Sequence, residues 1–113
     1  MRAEALKGHL DGLLLAVLEA GPTHGYAIIE ALRAGSGGTF DLPTGTVYPA
    51  LHRLEDMGLV TSTWSDGPGR RRRMYKLTAA GRKALVQQRT AWQEFAGAVH
   101  SVMNGGQAWN PVT

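Results

Sequence analysis

A mainly α-helical chain with one two-stranded β-hairpin and a single long helix towards its end is the fold class this sequence predicts, and three observations predict it. Apolar residues recur at helical spacing in three short segments between Leu10 and Leu54. Two β-prone runs flank the turn-rich Ser65-Asp66-Gly67-Pro68-Gly69. From Ala79 to Met103 there is no proline, and Leu85, Trp92 and Val99 repeat at seven residues with Phe95 and Val102 among them.

Taken in order, Leu10, Leu13, Leu14, Val17 and Leu18 fall at i, i+3, i+4, i+7 and i+8, the stripe of a helix that buries one face. It is expected to run from Leu10 to Ala20 and to stop at Gly21-Pro22. Thr23 is the expected N-cap of a second short helix carrying Tyr26, Ile28, Ile29 and Leu32, which Gly35-Ser36-Gly37-Gly38 ends. Phe40 and Leu42 lie in an extended connector before Pro43. Thr44 is the expected cap of a third helix, with Val47, Leu51 and Leu54 facing the core and Gly58 closing it. The hairpin strands are Leu59 to Trp64 and Arg71 to Leu77, and Thr78 caps the final helix. Gly97 is a weak point in that helix, at about 1 kcal/mol relative to Ala, and Gly81 near its start is a second. The tail, with Gly105-Gly106 and Pro111, reads as frayed or disordered. The chain thus divides into residues 1–78, 79–103 and 104–113.

With 113 residues there is room for one domain, and 43% hydrophobic and 19% charged residues place it among ordinary globular chains. The net charge of +3 matters only where it is concentrated, and four of the twelve basic residues stand together at Arg70 to Arg73. The absence of cysteine removes disulfides, thiol nucleophiles and thiolate metal sites. The longest apolar stretch, Leu13 to Leu18, is far short of the roughly 20 residues a membrane helix needs. Arg2 and Lys7 precede it, but Asp11 and Glu19 bracket it and no small-x-small cleavage site follows, so the expectation is a mature cytoplasmic protein without a membrane. No serine lies in a Gly-x-Ser-x-Gly elbow, and Gly35 to Gly38 lacks the Gly-Lys-Ser/Thr ending of a phosphate loop. His52 and Glu55, three apart on a helix, make half a metal site with no further ligands beside them. Neither an enzyme, a metal nor a cofactor is expected.

Three helices, a hairpin and a long final helix are the order of a winged helix-turn-helix followed by a dimerisation helix. A more specific resemblance rests on Leu15-Ala16-Val17-Leu18, Gly21-Pro22, His24-Gly25-Tyr26, the run Gly45 to Glu55, Gly58-Leu59-Val60, Trp64, Tyr75-Lys76-Leu77-Thr78 and Ala80-Gly81. Together these resemble the PadR family of bacterial transcriptional regulators, in unbroken order from about Leu10 to Met103. The short C-terminal part is similar to the family's small subgroup, in which one long helix replaces a helical domain. The resemblance implies a homodimeric DNA-binding repressor whose final helices pair across a two-fold axis, often with the partner's first helix.

In that arrangement the third helix enters the major groove, and the side chains able to reach DNA are Thr44, Thr46, Tyr48, Pro49, His52 and Arg53. Tyr48 reads either as a phosphate donor or as a half-buried core residue, and Thr44 either as a contact or as a plain cap. Tyr26 resembles a second phosphate contact of the family, with core packing as the rival reading. Arg70, Arg71, Arg72 and Arg73 suit phosphate or minor-groove contact by the wing, or a solvated edge strand. Alternation puts Arg71 and Arg73 on one face with Tyr75 and Leu77, and Arg70 and Arg72 on the other with Met74 and Lys76. The expected dimer seam is Leu85, Trp92, Phe95, Val99 and Val102. Trp92 and its symmetry mate either wall a cavity for a planar aromatic effector or pack without one. The expected partners are a roughly palindromic duplex DNA, a second copy of the chain and such an effector. The alternative is a winged helix that binds a partner protein.

Overall fold

A computed structural model describes Leu6, residues 8–65, Gly67 and residues 69–106. The elements are α1 (Leu10–Leu18), β1 (Thr23–His24), α2 (Gly25–Gly35), α3 (Thr44–Asp56), β2 (Val60–Trp64), β3 (Arg73–Leu77) and α4 (Ala79–Met103). The expected mainly helical fold with a β wing and a long last helix is present. The sheet has three strands in the order β1-β3-β2, all antiparallel, with Thr23 opposite Tyr75 and Val60 opposite Leu77.

Several expected boundaries are corrected, each for a local physical reason. Helix α1 ends at Leu18 and not at Ala20, where the Gly21 N–H donates to the Leu18 carbonyl and Gly21 takes φ 143°. Thr23 does not cap α2, because its backbone belongs to β1; the cap is His24, whose side chain accepts from the Ala27 N–H. Thr44 is the first residue of α3, whose N-cap is Pro43 in an extended conformation with no side-chain cap bond. Strand β3 starts at Arg73, two residues later than expected, although the Ser65 N–H still donates to the Arg72 carbonyl at 2.8 Å. The tail reading lies, from residue 107 onward, outside the described residues.

The stop after α3 is a Schellman motif. Gly58 takes φ 76°, its N–H donates to the Glu55 carbonyl, and the Leu59 N–H reaches back to Leu54 at 3.0 Å. This reversal aims the chain directly into β2.

Leu14, Leu15, Leu18, Ile28, Val47, Leu51, Leu54 and Tyr75 form the most deeply buried part of the core. Leu10, Leu13 and Val17 are only partly buried, so the first helix turns Leu15 inward and leaves one side of its apolar stripe half open. Burial raises the pKa of the Tyr75 phenol, and the nearby Arg73 charge acts in the opposite direction.

Helix α4 passes through Gly81 and Gly97 without a break. Thr78 caps it as expected, its hydroxyl oxygen accepting from the Gly81 N–H at 3.0 Å while donating to the Gly58 carbonyl at 2.7 Å. Its first turn lies against Leu59 and Leu77, and its middle turns lie on α1. There Gly12 lets the Gln88 side chain approach closely, and Arg89 grips both carboxylate oxygens of Glu19 at 2.9 and 2.7 Å. That pairing holds the Glu19 carboxyl below the ordinary glutamate range. Beyond Arg89 the helix touches the start of α1 through Trp92 and Phe95 at His9 and leaves much of both rings exposed, and no helix among the described residues is long and apolar enough to cross a membrane.

Candidate nucleic-acid interface

Helix α3 buries Val47, Ala50, Leu51 and Leu54, so its outward face is made of Gly45, Pro49 and His52, all exposed. The exposed Thr44 stands at the first turn, where backbone N–H groups have no intrahelical acceptor and suit a phosphate oxygen. Thr46 is half-buried. Arg53 is paired with Asp11 of α1, which turns its guanidinium away from the outward face. A sequence cannot show that pairing, since 42 residues separate the two.

Tyr48 leaves α3 sideways and lays its phenol on the start of α2. A Cβ added at Gly25 would overlap the ring, with Cε1 only 2.6 Å away, so a glycine is required there for Tyr48 to lie as it does. Tyr26 stands beside it, edge-on at 6.5 Å between ring centroids, and is 65% exposed, which excludes the core-packing reading for Tyr26. The His24-Gly25-Tyr26 string carries Gly25, but nothing in the sequence shows that Tyr48 needs it. Replacing it by alanine should cost about 1–2 kcal/mol by overpacking. The same change in a Tyr48→Ala background should cost almost nothing, and a thermal-melt double-mutant cycle reads the difference.

The four wing arginines divide as strand alternation requires. Arg71 and Arg73 both lie over the Trp64 indole, at 5.0 and 5.5 Å from the ring. Arg73 also donates to Ser62 Oγ at 2.8 Å and faces Glu55 at 3.8 Å, so its charge anchors β3 to α3. Arg70 and Arg72 are exposed on the other side, where with His24, Ser65 and Met74 they line a cleft of about 470 Å³. Arg72 Nη1 lies 3.0 Å from His24 Nε2. The wing and α3 therefore converge on one short segment: Arg72 on His24, Tyr48 on Gly25, and Tyr26 next in sequence.

A second feature lies on the far side of α1. An apolar groove of about 340 Å³ runs between α1 and α4, lined by His9, Leu13, Ala16, Phe40, Trp92 and Phe95 among others. Trp92 meets His9 edge-on at 5.1 Å and Phe95 at 6.0 Å, yet Trp92, Phe95, Val99 and Val102 remain 51, 56, 43 and 83% exposed. Leu85 does not belong to this stripe. It is 2% exposed, packed inside the chain's own core, which corrects its expected place in the seam.

Three helices, a sheet-borne hairpin with a cationic loop, and an outward helix face beside it define a winged-helix protein. The family model of the PadR-like transcriptional regulators matches residues 14–87. The chain belongs to that family, one of transcriptional regulators and not of enzymes. A transcriptional regulator of Mycobacterium tuberculosis is 47% identical over 66 residues, spanning 54% of this chain and 62% of its own length. The chain is similar to a PadR family transcriptional regulator from Eggerthella lenta, with 31% identity, TM-score 0.76, and 89% and 87% of the two chains covered. It is also similar to Bacillus subtilis PadR in complex with operator DNA, with 28% identity, TM-score 0.63, and 70% and 45% covered.

Proposed function

We propose that the chain binds double-stranded DNA as a homodimer, in the cytoplasm, and acts as a repressor that a planar aromatic effector releases. The observation that carries the DNA reading is the convergence of wing and α3 on residues 24–26, where Arg72, Tyr48 and Tyr26 assemble donors from three elements. The complex of the similar Bacillus subtilis protein with operator DNA supports DNA as the partner. Thr44, Thr46, Pro49 and His52 are the residues placed to meet the groove, Tyr26 and Tyr48 the backbone donors, and Arg70, Arg71 and Arg72 the wing cations; Arg73 holds the wing. Arg53 joins them only if it leaves Asp11.

Titration of a labelled duplex at several salt concentrations tests this reading. For a dimer neutralising about eight phosphates, log K falls with a slope of about −7 against log salt. Arg72→Ala weakens binding almost uniformly over different sequences, because a backbone contact carries little base information. No binding at low salt would favour a winged helix that meets a partner protein.

The groove beside Trp92 supports the effector reading. Pairing of two protomers along α4 places the two indoles near each other, with Phe95 and His9 as further aromatic walls. A screen of planar aromatic compounds is expected to find binders whose affinity falls about tenfold or more in Trp92→Ala, since stacking and desolvation on one indole are worth more than 1 kcal/mol. Binding unchanged by Trp92→Ala would remove the stacking pocket and leave DNA binding untouched.

A further inference from the structure

His24 makes two contacts that one neutral imidazole cannot satisfy together. Its Nδ1 accepts from the Ala27 N–H at 3.4 Å, which caps α2, and its Nε2 lies 3.0 Å from Arg72 Nη1. A guanidinium nitrogen only donates, and a neutral imidazole has one acceptor nitrogen and one donor N–H. If Nδ1 accepts, Nε2 carries the proton, and two donors face each other across the cleft between β1 and the wing. If instead Nε2 accepts from Arg72, the cap N–H of Ala27 meets another N–H.

An anionic oxygen seated between Nε2–H and the guanidinium resolves the conflict, because both groups then donate to it and the cap is kept. The geometry points to His24 and Arg72 as a two-donor clamp on one backbone phosphate of the DNA, with Arg70 and Ser65 on the same cleft wall. This assignment rests on the DNA-binding reading and adds a residue to it: His24 does for the phosphate what a second charge does elsewhere, as a neutral donor fixed in direction by the helix it caps. Arg72, held at the cleft mouth, supplies the charge.

The two roles of His24 separate by substitution. Asparagine places an oxygen where Nδ1 lies and is a favoured cap, but has no group at the Nε2 position. Glutamine restores a distal N–H without the cap. Binding to a mixed-sequence 30-bp duplex at low salt is followed by fluorescence anisotropy, with melting temperature as the control. His24→Asn is expected to melt with the wild type and to bind about tenfold more weakly for each wing, as befits loss of a hydrogen bond to a charged group. Its salt slope stays at the wild-type value, because a neutral donor displaces no counterion, whereas Arg72→Ala lowers the slope by about 1 for each wing. His24→Gln recovers most of the lost affinity and melts lower. The double variant binds no more weakly than Arg72→Ala alone.

His24→Asn binding as tightly as the wild type, or effects of the two variants that simply add, would overturn the clamp. The tautomer is an independent readout: long-range ¹H–¹⁵N correlation of the free protein should place the His24 proton on Nε2. A proton on Nδ1 means that Arg72 is already satisfied and overturns the clamp even if DNA binds. Failure of the wild type to bind the duplex overturns the DNA reading itself, and the phosphate occupant with it, whatever the tautomer.

Discussion

Gly81→Ala is expected to destabilise the chain by about 3 kcal/mol, the top of the usual range for overpacking, despite the helix propensity that alanine adds. A Cβ built at Gly81 overlaps the Leu59 carbonyl oxygen, lies 3.0 Å from the Leu59 carbonyl carbon and 3.3 Å from Leu77 Cδ2. The obstacle is backbone, fixed by the Schellman turn at Gly58 on one side and by β2 on the other, and no side-chain rotation relieves it. The Leu59 carbonyl also accepts from the Thr78 N–H at 3.2 Å, so moving it away breaks the joint between the hairpin and α4. About 1 kcal/mol returns through alanine's helix propensity and is too little to offset the clash. For a domain near this size the melting temperature should fall by on the order of 10 °C. Gly35→Ala, at a helical glycine with open space around it, is the control and should change little. A Gly81→Ala protein melting with the wild type would mean that α4 does not lie against the Leu59 turn.

The second large effect concerns the exposed stripe of α4. Phe95→Asp with Val99→Asp is expected to yield a monomer at micromolar concentration by sedimentation, and to weaken binding to a duplex with two half-sites by at least about 100-fold. The side chains are 56 and 43% exposed in the single chain, so replacing them leaves the protomer's own core intact. What they remove is part of the apolar surface that Trp92, Phe95, Val99 and Val102 present together, a contiguous exposed stripe of the kind that marks an interaction site. Two linked DNA-binding units gain an effective concentration that separate ones lack, and its loss is worth about 10²–10⁴ in affinity. A wild type that sediments as a monomer at micromolar concentration would remove both the seam and the geometric basis for a two-fold site.

How far the sequence reveals the molecule differs by element. The four helices are legible because apolar residues recur at their period, and Thr78 is legible as a cap because its hydroxyl needs only a local partner, the Gly81 N–H. Strand β1 is not legible: two residues, Thr23 and His24, have no periodicity, and they become a strand only because β3 arrives beside them. That one event also transfers the α2 cap from Thr23 to His24. Gly81 reads from sequence as a weak point in a helix, whereas the fold needs it for a close approach by a carbonyl from a different element.

The candidate site shows the same division. The wing arginines are visible as a cluster, and alternation separates Arg71 and Arg73 from Arg70 and Arg72 correctly. Which of the site's cations stay available depends on neighbours distant in sequence, Glu55 and Ser62 for the wing's Arg73 and Asp11 for Arg53 of α3. Leu85 fits the seven-residue repeat of Trp92 and Val99, yet it falls where α1 covers α4, and so it packs inward.

Selection of bound duplexes from a random-sequence pool by the purified wild type, followed by footprinting of the enriched site, tests the proposed sequence-specific DNA-binding dimer most directly. The expected result is an inverted repeat protected over two half-sites about one helical turn, roughly 10 bp, or a multiple of it apart. A pool that yields no preferred sequence, or a single unrepeated half-site, would contradict it.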